Sequence, residues 1–412
     1  MTDSIIEPDI QRRTLGTLAM TQSLTGVGVG STIAAGGLLV ASISKSEALA
    51  GLAQTFSVLG AAAMALPLAS LTRRGGRRLA LATGYAVATV GTISAIIGGS
   101  QKILPLMLIG TFLIGASSAA NYQSRFAAAD LSTPGTRARD LSFVVWASTI
   151  GAVLGPNLMA PSGNLATSLG LPKLTGPYVL AFAMLILGAA NIWIRLKPDP
   201  YLKHLEMTHG THGERPAKIP ARKVLAYISG VPNALLGLLA ISIGHVAMVS
   251  IMVMTPVHMS HVDVSLSIIG IVISVHIFGM YAFSPLLGRL SDSIGRIKVI
   301  QLGVILLLLA AIIAGSSDPM NSAQLGIGLF LLGLGWSCTL IAGSTLLTES
   351  ISDDFRASVQ GASDTVMNLS GAIGGAISGV IIATMSYGWL CALASAPVLA
   401  LGLFATKRAV AA

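Results

Sequence analysis

The stretch from His245 to Asp263, HVAMVSIMVMTPVHMSHVD, holds three histidines and four methionines but neither lysine nor arginine. Thioether sulfur is a soft neutral donor and imidazole an intermediate one. That set suits monovalent copper far better than magnesium, calcium or manganese, which prefer oxygen. Neutral ligands hold such an ion without burying further charge, and weak thioether bonds release it again, as a carrier requires. In a helix, His245, Met248, Met252 and Met259 share one face, being spaced by three, four and seven residues. A second pair, His276 and Met280, is spaced by four and likewise shares a face. Methionine is also an ordinary filler of apolar gaps, so the Met pair alone says little. A histidine in mid-membrane is costly unless partnered and is usually functional, which makes His276 the stronger signal. His245 has an equally ordinary alternative, a hydrogen bond to a neighbouring helix.

Those residues need elements to hold them, and the composition says which. The chain has 412 residues, 53% hydrophobic and only 10% charged, with a mean hydropathy of +0.79; soluble domains carry about a quarter charged residues. Apolar stretches of roughly 20 residues, enough to cross a bilayer, recur twelve times, and the lack of backbone partners in lipid makes each a helix. The spans are Leu15 to Ile43, Ala48 to Leu71, Leu79 to Ile97, Ile103 to Ala128, Leu141 to Ala160, Tyr178 to Ile194, Ala234 to Val257, Leu266 to Leu287, Val299 to Gly315, Leu325 to Leu347, Ala357 to Met385 and Tyr387 to Ala405. If both termini are cytoplasmic, all 25 lysines and arginines except Lys45, Lys102 and Lys173 fall on the inner side, as positive-inside topology demands. The net charge of +9 is thus a topology signal. It is no nucleic-acid footprint, since no aromatic platform accompanies it. Met248 and His276 each lie roughly 15 Å below the outer ends of their spans at 1.5 Å per residue, so the two faces are expected to meet in mid-membrane.

The chain also repeats itself. LTRRGGRR at Leu71 to Arg78 aligns with LSDSIGRI at Leu290 to Ile297, 219 residues on, and GAVLG from Gly151 aligns with GAIGG from Gly371. Two related six-helix halves, 1–195 and 224–412, are therefore expected on either side of a polar linker, 196–223. Such halves expose a midplane site alternately to each side. The histidines are spread along this path. His258 and His261, with Met259, lie at the outer mouth as a candidate capture site, and His204, His209 and His212 lie in the linker as a candidate hand-off site.

GRLSDSIGRIK, Gly288 to Lys298, resembles the loop signature of the major facilitator superfamily. The resemblance covers essentially the whole chain and implies an all-α integral membrane protein of twelve helices in two pseudo-symmetric bundles. It also assigns Gly288, Arg289, Asp292, Gly295 and Arg296 to a gating motif of tight turn and charged latch. In the first half Arg73 stands where the aspartate would be and Ala69 where the first glycine would be, which puts a first-half latch in question. The MxxxM helix opposite an HxxxM helix is similar to the CcoA-like copper importers, a branch of that superfamily. That likeness implies metal handling by Met248, Met252, His276 and Met280, with His245 beside them. The fold does not force these residues, because the same offset places Val29, Ile33, Ser57 and Ala61 at the first-half counterparts.

Among sixteen acidic residues, Asp364 alone falls well inside a span and is the candidate for proton coupling. The first half has no such carboxylate, which counts against a proton-driven multidrug exporter. GAVLGP, Gly151 to Pro156, reads as close helix packing plus a kink, and Gln22, Gln54, Asn121 and Gln123 are candidate cavity-lining residues of the first half. No HExxH, GxSxG or GxxxxGK[ST] motif is present, so neither an enzyme nor a nucleotide-driven pump is expected. The expectation is a monomeric copper importer with copper as cargo and no tightly bound cofactor. The alternative is a transporter, importer or exporter, of a small organic solute or drug. The resemblance implies a bacterial cytoplasmic membrane and a cuproenzyme as beneficiary.

Overall fold

A computed structural model describes residues 8–45, 49, 52–133, 135–209, 220–260, 266–318 and 320–410. Every regular element among them is a helix. The order is α1 (Pro8–Ser44), α2 (Leu52–Ser100), α3 (Leu104–Ala129), α4 (Arg137–Asn157), α5 (Met159–Ser168), a short 3-10 turn (Lys173–Thr175), α6 (Gly176–Arg195), α7 (Pro200–His209), α8 (Ala221–Gly230), α9 (Pro232–Ser260), α10 (Leu266–Tyr281), α11 (Ser284–Ile294), α12 (Arg296–Gly315), α13 (Ser322–Glu349), a 3-10 turn (Asp353–Phe355), α14 (Arg356–Thr384) and α15 (Tyr387–Val410).

Among the described residues ten helices are long and apolar enough to cross a membrane, eleven when the bent pair 137–155 and 159–168 counts as one span. The 49 residues of α2 are about 74 Å long at 1.5 Å per residue, twice the need of a bilayer. Gly76 interrupts it with φ 83° and ψ 179°, a backbone state natural only to glycine. The arms 52–75 and 77–100 therefore each supply one crossing, and the described helices then give the twelve expected from the sequence. The span expected at Leu141 to Ala160 is not straight. It breaks at Leu158 with a bend of 60° between α4 and α5, just beyond the proline of GAVLGP.

The helices pack as two compact units. The first comprises Met1–Ser132, Ala147–Pro220 and Asp353–Thr365, and the second Thr133–Trp146, Ala221–Ser352 and Val366–Ala412. In the first unit α2 lies along α3, and α6 covers α1. Glycine permits that closeness, because a Cβ on Gly60 would strike the backbone carbonyl of Phe112, and one on Gly115 would strike that of Ser57. Gly26 faces Gly151 and Gly30 faces Gly155 in the same manner, so the glycines of GAVLGP are packing points, as the sequence suggested, and meet glycines of the first span. In the second unit α13 is the centre, and α9, α10 and α12 all pack chiefly on it. That arrangement fixes which residues of the Met/His segment can meet.

Candidate functional site

In the second unit the backbone of His276 lies on α13 so closely that a Cβ on Gly333 would meet the carbonyl of His276. The fully buried imidazole of His276 has Nδ1 2.8 Å from the carbonyl oxygen of Leu329. A carbonyl only accepts, so Nδ1 carries the hydrogen and Nε2 keeps its lone pair. Nε2 has no partner among the described residues. Met280 is buried beside Gly333. His245 takes the other role foreseen for it, accepting at Nδ1 a hydrogen bond of 3.2 Å from the indole Nε1 of buried Trp336. Its ring lies against Gly371, where any side chain would collide with it. Met248 is buried and Met252 half-buried on α9. Helices α9 and α10 both rest on α13 and barely touch one another. The structure thus brings His276 and Met280 together, and His245 to Trp336, while the expected facing of α9 on α10 is slight. Among the described residues no three His, Cys, Asp or Glu side chains gather as a metal site. At the predicted outer mouth, His258 stacks on Tyr387 with centroids 4.3 Å apart, and Met259 is fully buried; His261 lies outside the described residues. Of the linker histidines, His204 Nε2 is 3.0 Å from Arg356 and 3.2 Å from Asp353. The side chain of His209 and the whole of His212 lie outside the described residues.

Four of the five residues expected to form the gating motif make a tight turn and a charged network. Gly288 lies where a Cβ would collide with Ser142 and the carbonyl of Ala138 on α4. Asp292 accepts from the amides of Ala138 at 3.2 Å and Arg139 at 2.9 Å, capping the positive end of α4, and pairs with Arg296 at 3.0 Å. Gly295 takes φ 96° to turn the chain. Arg296 then grips Glu349 with two parallel hydrogen bonds of 3.0 and 2.9 Å, the strong bidentate form. Arg289 is exposed.

The first unit holds a related set of contacts at the repeat positions, with the aspartate replaced as the sequence indicated. Arg77, the counterpart of Arg296, grips Asp130 at 2.7 and 3.1 Å and reaches Gln360 at 2.6 Å. Asp130 occupies the position 219 residues before Glu349. Ala69 replaces the glycine because its neighbour has shrunk instead: Gly361, counterpart of Ser142, would strike Ala69 if it carried a Cβ. Arg73, in place of the aspartate, bonds the hydroxyl of Ser358 at 3.1 Å near the start of α14. The ion pair and close contact survive, and only the sign of the charge at the helix end is inverted.

Asp364 sits in the first unit with Arg125, a residue the sequence offered only as part of the basic side. Arg125 Nη2 is 2.6 Å from Asp364 Oδ1, with side chains 2% and 0% exposed, and the guanidinium carbon lies 4.4 Å from the centroid of Phe126 and 5.5 Å from that of Tyr122. The partners are 239 residues apart, so no local spacing announces them.

A cavity of about 70 Å³ opens in the same unit, lined by Val29, Thr32 and Ile33 of α1, Ala53, Gln54 and Ser57 of α2, Thr111, Ile114 and Ser118 of α3, and Tyr178 of α6. Its lining mixes hydroxyls and one carboxamide with aliphatic side chains and carries no charge. Of the four amides proposed from sequence only Gln54 lines it. Gln123 donates to the carbonyl of Ala65, Gln22 to that of Asn121, and the Asn121 carboxamide accepts from Thr25 and Tyr85. Tyr178 and Thr32 were missed because neither stands in a motif.

Comparison with known proteins fits this architecture. The chain is 35% identical over 381 residues to the uncharacterized MFS-type transporter YdeG of Bacillus subtilis, covering 92% of this chain and 88% of that one. It is 28% identical to the riboflavin transporter RfnT of Brucella anthropi, covering 86% and 85%. Its fold matches the crystal structure of the human organic anion transporter MFSD10 with a TM-score of 0.73 at 15% identity, over 97% of this chain and 100% of that one. With residues 18–266 and 236–410 matching the family itself, the chain belongs to the Major Facilitator Superfamily and is a multi-pass membrane transporter.

Proposed function

We propose that this chain carries a small, uncharged organic solute across a bacterial cytoplasmic membrane by alternating access. The observation that carries the reading is the cavity of the first unit, which offers hydroxyls and one carboxamide beside aliphatic side chains and no charged group. Such a surface suits a neutral molecule with carbonyl or hydroxyl oxygens and an apolar part. Riboflavin, the solute named for the relative at 28% identity, has that chemistry and is the first to test. Asp364 is the proposed coupling group. Protonating it would remove the negative charge that buried Arg125 meets at 2.6 Å, so proton binding has a structural consequence.

Copper import is the second reading, and His276 is what favours it. A histidine whose Nδ1 is anchored to a carbonyl presents Nε2 in the tautomer that ligates metals, with Met280 one turn away. The two readings separate in one experiment: initial-rate uptake of labelled riboflavin and of radioactive copper by cells lacking their own importers for both. Riboflavin uptake that appears with the protein supports the first reading. Copper uptake that collapses in Met248→Ala and His276→Ala, without riboflavin uptake, replaces it with the second.

A further inference from the structure

The Met/His face of the second half and the cavity of the first occupy the same register of the repeat. Val29, Ile33 and Ser57, the counterparts of Met248, Met252 and His276, all line the cavity. In the first half the repeat leaves room at these positions. The cavity has a buried floor and an exposed rim. Thr32, Thr111 and Tyr178 are buried, whereas Ile33 is 59% exposed and Gln54 is exposed. Polar side chains facing hydrocarbon are costly, so this lining is not a lipid-filled crevice.

The hydroxyls of Thr32 and Thr111 donate to the carbonyls of Val29 and Leu108 within their own helices, leaving them as acceptors toward the cavity. Tyr178 differs. Its ring is fully buried, and its hydroxyl has no hydrogen-bond partner among the described residues. The hydroxyl lies against Gly36, where even a methyl would stand 3.0 Å from it. Glycine there leaves open the space the hydroxyl needs. A buried, unpartnered phenol lining a cavity of mixed polarity is a donor awaiting an acceptor.

We infer that Tyr178 is the solute-recognising donor of a subsite contained within the first unit. It hydrogen-bonds a carbonyl or hydroxyl oxygen of an uncharged solute, whose apolar part rests on Val29, Ile33 and Ile114. At about 70 Å³ the cavity has room for roughly five waters, which is one ring of such a solute rather than the whole. The inference rests on the organic-solute reading above.

The test is equilibrium binding of riboflavin, read by its own fluorescence, to the purified full-length protein in lipid nanodiscs. The proteins compared are the intact chain, Tyr178→Phe, which removes the hydroxyl and keeps the ring, and Ser57→Leu, which fills the cavity. Tyr178→Phe is expected to weaken binding about fivefold to tenfold, the worth of one neutral hydrogen bond, and Ser57→Leu to abolish it. Binding by the intact protein that both variants retain unchanged would overturn the subsite and leave the organic-solute reading standing. Absence of binding to the intact, correctly folded protein would count against both.

Discussion

Replacing Asp364 by asparagine isolates the energetics of the buried pair. With charge centres about 4 Å apart and an effective dielectric near 20, the attraction to Arg125 is about 4 kcal/mol. Dehydrating the two groups costs several kcal/mol each, so the intact pair contributes little net stability. Removing one partner is different, because Arg125 stays charged at 2% exposure, beside the Phe126 and Tyr122 ring faces, and loses the carboxylate 2.6 Å from its Nη2. The expected destabilisation is about 3–5 kcal/mol for Asp364→Asn or Arg125→Gln alone. For a unit of roughly 200 residues that is a Tm drop of about 10 °C. The double variant buries no orphan charge and should recover most of the loss, giving a coupling energy of about 2 kcal/mol or more. Thermal unfolding of the four detergent-solubilised proteins measures it. Single variants as stable as the intact protein, or additive losses, would refute the claim that each group is held in place by the other.

Three further outcomes follow from the latches. Asp292→Asn removes the charge from two helix-end hydrogen bonds, so the amides of Ala138 and Arg139 should exchange hydrogen about fivefold faster, about 1 kcal/mol of capping being lost. Arg73→Asp places at the start of α14 the charge that the repeat uses at α4. It should raise the melting temperature by about 2–4 °C, roughly 1 kcal/mol, and a fall would show that the Ser358 contact matters more. Gly361→Leu drives a side chain into Ala69, and size-exclusion chromatography should show loss of folded protein, whereas Gly379→Leu, with open space around it, should leave the profile unchanged.

How much of this was legible in the sequence depends on how far apart the partners lie. The spans could be read because lipid imposes one rule on every stretch of chain. The second-half latch could be read because Gly288, Asp292, Gly295 and Arg296 fall within nine residues. The first-half latch was obscured because the small residue had moved across the contact, from the Gly288 position to the Ser142 position, where it appears as Ala69 against Gly361. That exchange shows only when both sides of the interface are seen. Arg125 and Asp364 are separated by most of the chain, and Tyr178 opens a span with no periodic signal around it. The expected meeting of α9 and α10 assumed that helices adjacent in sequence face one another at depth. Here α13, with Gly333 against α10 and Gly343 against α9, offers both a closer fit.

The most direct test of the central claim is transport by purified protein in proteoliposomes, offered labelled riboflavin and radioactive copper in the same vesicles. The account predicts saturable riboflavin uptake that Ser57→Leu eliminates and that His276→Ala leaves with its apparent affinity for riboflavin intact. Copper accumulation without riboflavin uptake, lost in His276→Ala and kept in Ser57→Leu, would contradict it and move the solute from the hydroxyl-lined cavity of the first unit to the Met/His face of the second.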